Sequence, residues 1–398
     1  MRFSQYLTEG KNTHLTHAAD FAFEGQKRAM ESINFLEALV EMFKGNAKSK
    51  VNFTRKWDGA PAVFCGINPD NGKFFVGTKS IFNRTPKINY TNADIDRNHG
   101  GGLADKLKEA LKYLPSLGIK GILQGDFLFG EGDKSDKEID GEQFLTFTPN
   151  TITYAVGEGD LQNQIRKAKI GIVFHTKYEG DSMANMKASF NVSRSDFGKS
   201  SSVYADDANF RDVSGKSTFT AKEYKKALTL LKKCRSALGK ARKGSNAIAK
   251  NPKLTSLINI YTNAKVKSSQ GKYFLSATEF TKFVNDKLEK EVLSLKTKKG
   301  QERRRSQNQD VVKTIAKNAR EFESVFKLNM AIQELVMHIV NKLDEVKTLR
   351  TFVRTANGFR VTSDEGFVAS RSGNALKLVN RLEFSRANFT VAKNWVKG

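Results

Sequence analysis

The sequence predicts an α+β protein in which antiparallel strands occupy two separated stretches, with a basic all-helical insertion between them. Three observations lead there. Between residues 50 and 200, short apolar runs rich in Val, Ile, Phe and Thr are punctuated by Gly, Pro and Asn, as strands and tight turns are. From 216 to 350 the apolar residues recur three and four apart, the period of helices with one buried face. After 350 the strand-like runs return. The expected division is an N-terminal helical segment over 1–49, a first α+β part over 50–200, the insertion over 216–350 and a second α+β part over 351–398.

The elements follow in order. Residues 24–43 carry Ala29, Ile33, Leu36, Leu39, Val40 and Phe43 at helical spacing, and Gly45 supplies a stop. Residues 50–56, 60–67 and 73–78 read as strands, the last two separated by the turn sequence Asn68-Pro69-Asp70-Asn71-Gly72. A helix is expected over 103–114, a buried strand over 121–129, and further strands over 144–147, 151–156 and 169–178. The glycine- and serine-rich segment 196–217 marks a boundary. Helices are expected over 221–241, 277–295 and 310–349, with Lys296 to Arg305 as a charge-dense connector between the last two. Strands over 352–354, 366–369 and 375–379 complete the chain. No repeat of fixed period appears.

Of the 398 residues, 39% are hydrophobic, ordinary for a chain that buries a sizeable core. The net charge is +25. From Lys216 to Arg320 there are 27 Lys and Arg against 7 Asp and Glu, so most of the excess sits in the expected insertion. A charge concentrated this way points to a polyanionic partner, nucleic acid before a membrane surface. No apolar run has the length of a membrane span, and Met1 to Tyr6 lacks the core of a signal peptide. Cys65 and Cys234 lie far apart, without metal-ligand company, and fit a reducing cytoplasm.

One tetrapeptide carries the chemistry. Lys56-Trp57-Asp58-Gly59 sits between two strand-like runs, where an amine can serve as a nucleophile if its proton is removed. Alone it reads better as a surface lysine before an Asp-Gly turn. Later elements change the weighing: the basic segment 78–87 with Arg84, the strand ending Gly125-Asp126, the strand 169–178 with Phe174 and His175, then Glu365-Gly366-Phe367-Val368 and Ala375-Leu376-Lys377-Leu378-Val379.

In this order the segments resemble motifs I, Ia, III, IV and V of the covalent nucleotidyltransferases, the ATP-dependent polynucleotide ligases and capping enzymes. The likeness covers roughly 50–195 and 350–385. Similarity extends to bacteriophage ligase-like proteins with a Lys-Trp-Asp-Gly-Ala-Pro-Ala segment and an upstream Thr-His-Leu-x-His, here Thr13 to His17. Two departures stand out: Asp126 where the family has Glu, and one lysine, Lys377, where motif V has two.

The resemblance implies a nucleotidyltransferase (ATP-grasp-like ligase) domain, ATP and Mg²⁺ or Mn²⁺ as cofactors, and a nucleic acid with 5′-phosphate ends as partner. Lys56 would attack the α-phosphate and carry AMP. Lys377 would contact that phosphate and, with the metal, favour the neutral Lys56 amine. Asp58, Gly59, Arg84 and Asp126 would bind nucleotide, Phe174 would stack on the purine, and Glu365 with Asp126 would hold the metal. Lys298, Lys299, Arg303, Arg304 and Arg305 would grip the nucleic acid. Only 21 residues follow Lys377, too few for the OB domain of DNA ligases and capping enzymes, so an RNA ligase is favoured. The alternatives are an adenylyltransferase with another acceptor and a non-catalytic nucleic-acid-binding protein.

Overall fold

The structure, a computed structural model, describes residues 15–45, 52–210, 217–269, 274–346, 350–355, 358–362, 365–371 and 374–381. Mixed α and β structure is arranged as three sheets and a helical layer. His14 and residues 382–398 lie outside the described residues.

The smallest sheet joins the two ends of the sequence. Strand β1 (Asn52–Lys56) pairs antiparallel with β13 (Gly366–Arg371), which pairs antiparallel with β14 (Asn374–Leu378). One face of it, with Phe53, Phe367, Leu376 and Leu378, is buried against helices. The other face carries Thr54, Val368 and Lys377 side by side.

The six-stranded sheet runs β10 (Val203–Asp207), β8 (Ile170–Glu179), β4 (Ile122–Phe129), β2 (Ala62–Ile67), β3 (Phe74–Gly77), with β9 (Lys187–Ser189) paired to β8. Its pairings are antiparallel except β10 with β8. The short helix α2 (Asn92–Asn98) precedes α3 (Gly101–Tyr113), which covers one face through Leu107 and Ala110 against Leu123 and Phe127. After β10 the chain runs beside β1: Arg55 N donates to Ala208 O at 2.7 Å and Phe210 N to Phe53 O at 2.7 Å. The expected boundary segment therefore holds a strand that ties the two sheets together.

The third sheet is antiparallel, ordered β12 (Gly358–Val361), β11 (Arg350–Thr355), β7 (Ile152–Val156), β6 (Glu142–Phe147), β5 (Lys134–Ile139). Chain re-emerging from the insertion thus pairs with a strand from before it, as an interrupted domain requires. Trp57, Phe129, Phe147 and Tyr154 fill the core between this sheet and the six-stranded one.

The helical layer combines α1 (Gln26–Lys44) with α5 (Ala221–Ala249), α6 (Pro252–Ser268), α7 (Ala277–Leu293), α8 (Lys298–Lys317) and α9 (Ala319–Leu343), while α4 (Asp160–Lys167) belongs to the sheets. Gly45 ends α1 in the left-handed conformation, φ 86°. Helix α5 starts with a capping box, Thr220 and Glu223 exchanging bonds with each other's backbone. The residues expected to connect two helices are themselves helical: Thr297 caps α8, accepting from Gly300 N, and α8 carries Lys298 to Arg305.

The expected segments pack against one another. Leu36 and Phe43 of the N-terminal segment, Leu230, Phe326 and Ile332 of the insertion, and Phe53 and Phe367 of the three-stranded sheet share one continuous core. The insertion is the backing of that sheet.

Candidate nucleotidyl-transfer site

The cleft lies between the bare face of the three-stranded sheet and β4 and β8 of the six-stranded one, with a volume of about 210 Å³. Lys56 ends β1 and pairs with Gly366, so Glu365 arrives beside it from a position 309 residues away. Lys56 Nζ donates to Glu365 Oε2 at 2.5 Å, and the two side chains are 27% and 12% exposed. Lys377 pairs with Val368 one step along and lines the same cleft. Its backbone N–H donates to Thr16 O at 3.2 Å, so the N-terminal segment runs as an extra edge beside β14, and Leu15 reaches the cleft. His17 forms that bridge and caps the short 3₁₀ helix Ala18–Phe23.

Two glycines permit this geometry. A Cβ on Gly59 would lie 2.5 Å from Asp126 Cβ, and the loop here locks onto β4, Ala60 N donating to Phe127 O at 2.9 Å. Gly366 has φ +145°, and a Cβ on it would lie 2.4 Å from Leu378 O. Gly59 is therefore a packing residue of the loop that aims Lys56.

Asp126 sits within β4, pairing with Ala62 and Val173, and its carboxylate faces the cleft at 19% exposure. His175 Nε2 lies 3.7 Å from Asp126 Oδ1, and its Nδ1 is 2.8 Å from Thr176 Oγ1. The register of β4 and β8 shifts here, Gly125 opposing Phe174 and Gln124 opposing Thr176. This bulge leaves His175 unpaired in the ladder and turns it into the cleft.

Electrostatics couple the cluster. Burial alone would push the Lys56 amine down, but the charges of Glu365, Asp126 and Asp58 outweigh it and hold its pKa above the usual lysine value. Burial pushes Glu365 above the usual carboxylate range, against the pull of Lys56. Burial and the repulsion of Lys56 bring Lys377 down to about 8. The repulsion between Lys56 and Lys377 appears in this site as a lowered Lys377, while the carboxylates around Lys56 hold the proton there.

Three sequence expectations are corrected. Phe174 is fully buried on the opposite face, packed against Phe197 with ring centroids 5.1 Å apart, so it has no access to a nucleotide. Phe190, half-buried after β9, is the phenylalanine that lines the cleft. Asp58 is 3% exposed and fully engaged: Asn150 Nδ2 donates to one oxygen, and Thr151 N and Ile152 N to the other, all at 2.7 Å. It anchors the start of β7, and burial outweighs these donors and raises its pKa. Arg84 is exposed on the loop after the 3₁₀ helix Lys79–Phe82 and does not line the cleft. Gln124, Thr176 and Phe190 are among the cleft residues to which the sequence reading gave no role. Only the alternation along 122–129 and 170–179 signalled the first two.

Among the described residues, no group of three or more His, Cys, Asp and Glu forms a metal cluster. Glu365 and Asp126 still offer two hard oxygen donors at one cleft, which suits Mg²⁺ or Mn²⁺ when phosphates and water complete the shell. No helix among the described residues is long and apolar enough to cross a membrane.

A family model matches residues 12–393, and the chain belongs to that family, DUF6267, a family of unknown function. No curated protein and no solved structure matches the chain.

Proposed function

We propose that this protein is an ATP-dependent polynucleotide ligase with a nucleotidyltransferase fold, working through an AMP carried on Lys56. The observation that carries the reading is the convergence of Lys56, Glu365 and Lys377 in one cleft, through the pairing of β1 with β13 across more than 300 residues and of β13 with β14. A lysine beside two carboxylates and a second, proton-labile lysine is suited, once its own proton is lost, to attack on a phosphoanhydride.

Lys56 first parts from Glu365 and releases its proton to water in the cleft. The neutral amine attacks the α-phosphorus of ATP; the P–N bond forms and the bond to the leaving pyrophosphate breaks. Lys377, charged below about pH 8, faces the α-phosphate and offsets its growing negative charge. Glu365 and Asp126 would hold a divalent ion, which supplies charge neutralisation at the phosphates. Phe190 offers the ring on which the purine rests. AMP then passes to a 5′-phosphate, and a 3′-hydroxyl displaces it to seal the strand. The exposed cations of α8, Lys298, Lys299, Arg303 and Arg304, contribute backbone contacts. Arg305 is already paired with Glu289 at 2.6 Å.

The test is covalent labelling. Incubated with α-labelled ATP and Mg²⁺, the wild-type protein acquires bound AMP, and Lys56→Ala does not. Equal labelling of the two rejects the reading. Offering the labelled protein nicked RNA, nicked DNA and single-stranded RNA, each with a 5′-phosphate, separates the substrates. Label retained against all three acceptors points to an adenylyltransferase with another target.

A further inference from the structure

Helix α5 presents a second charged surface that none of the site residues uses. From Tyr224 to Thr278 the chain contains 13 Lys and Arg and no Asp or Glu. Most of these cations fall on α5, whose inner face, Ala227, Leu230, Leu231, Cys234, Leu238 and Ala241, is buried in the core shared with α1 and α9. At 100° per residue, Lys222, Lys225, Lys226, Lys232, Lys233, Lys240 and Lys243 fall within a sector of about 120° that faces away from the buried residues, with Thr229 and Ser236 between them. All seven lysines are exposed. Lys233 is paired with Glu334 at 2.5 Å, and no ion pair joins the other six among the described residues.

We infer that this stripe is the principal track for a nucleic-acid phosphate backbone. It rests on the nucleic-acid half of the proposed function and is independent of the lysyl-AMP chemistry. Lys222 to Lys243 spans about 32 Å at 1.5 Å per residue. One free cation thus recurs on average about every 6 Å along a helix backed by the core. Such a spacing matches a chain of phosphates and exceeds what a compact anion requires. The Arg303 to Arg305 run is a weaker track, because Arg305 is neutralised by Glu289 and Glu302 and Asp310 stand beside it. A membrane is disfavoured: an interfacial helix inserts its apolar face into lipid, and the apolar face of α5 is already buried in protein.

The test uses the full-length protein with Lys222, Lys226, Lys232, Lys240 and Lys243 all changed to Gln. The substitutions are exposed, so circular dichroism and the melting temperature stay at wild-type values. Affinity for a 30-nucleotide RNA and a 30-base-pair DNA is followed by fluorescence anisotropy between 50 and 200 mM salt. Each lost phosphate contact lowers the slope of log K against log salt by about 0.7 for single strands and about 0.9 for duplex DNA. The expected fall is therefore about 3.5 to 4.5 for five contacts. The triple Arg303, Arg304 and Arg305→Gln protein loses less. An unchanged slope and affinity in the quintuple variant overturns the inference. So does equal binding of polyglutamate or phosphatidylserine vesicles at matched charge, which would assign the stripe to an acidic protein or a lipid. Self-adenylylation is read in parallel and stays intact in the variant. Its absence in wild type as well would reject the ligase reading while a reduced slope still supported the track.

Discussion

The two phenylalanines 174 and 190 give the sharpest test of which face of β8 meets the nucleotide. Phe174 is fully buried with α3 and Phe197 around it, so Phe174→Ala opens a cavity in a packed core. Such a truncation costs about 3–5 kcal/mol of folding free energy. Phe190 is half-buried at the cleft, so Phe190→Ala costs the fold less than about 1.5 kcal/mol, half of what burying a whole ring provides. Its loss falls on the ligand instead. Base–aromatic stacking is worth about 1–3 kcal/mol, which raises the dissociation constant roughly 5- to 150-fold at 1.4 kcal/mol per decade. The assay is equilibrium binding of ATP on a Lys56→Ala background, where turnover does not complicate the constant, beside urea unfolding of each single variant. Phe174→Ala should unfold at lower urea and, where still folded, bind ATP as its parent does. Phe190→Ala should unfold as wild type and bind weakly. An unchanged ATP affinity in Phe190→Ala, or weakened affinity in a fully stable Phe174→Ala, refutes the assignment of faces.

Three further outcomes follow from the same geometry. Asp58→Ala removes the acceptor of three buried donors and should destabilise the protein by about 3–5 kcal/mol in urea unfolding, whereas Asp126→Asn should lower self-adenylylation with little change in stability. Glu365→Gln removes one of the charges that hold the Lys56 proton, so Lys56 should react faster than in wild type with an amine-directed reagent at pH 8; an unchanged rate, followed by mass spectrometry, would sink the coupling. Lys377 has a lowered pKa, so the folded protein binds fewer protons there than the unfolded chain between about pH 8 and its ordinary value, and the cost of burying its charge is full below pH 8 and relieved above. Lys377→Met should therefore be more stable than wild type at pH 7, with the gap closing towards pH 10, while wild-type self-adenylylation falls above about pH 8 as the cation is lost.

The meeting of Lys56, Glu365 and Lys377 was legible because each ends or lies on a strand marked by its own short motif, in a recognisable order. What the motifs do not carry is orientation. The resemblance to motif III assigns Phe174 to the purine, but both faces of that strand are covered, and the bulge at His175 shifts the alternation. Only the partner strand's register reveals it. Asp58 has the same difficulty: its partners are backbone N–H groups of Thr151 and Ile152, which leave no trace in side-chain identity. Helix α6 is absent from the sequence reading, although Asn251 as cap and Pro252 in the first turn are helix-starting residues. Strand β10 hid in a segment whose glycines and serines suggested a linker.

The shared core changes how the helical layer should be understood. In a detachable insertion, catalytic geometry and nucleic-acid grip would be separable properties. Here the strand residues beneath the site, Phe53, Phe367 and Leu376, pack into the same core as the inner face of α5. Arg381 adds a second tie: just beyond β14, it donates to Asp20 Oδ1 at 2.7 Å and to Asn263 Oδ1 of α6 at 2.9 Å, while 4% exposed. A phosphate track on the outer face of α5 is therefore held in fixed relation to the strands carrying Lys56 and Lys377. Interiors packed at crystal-like density transmit displacement with little compliance. The position of a bound strand relative to the nucleophile is then set by the fold itself, with no linker to adjust it.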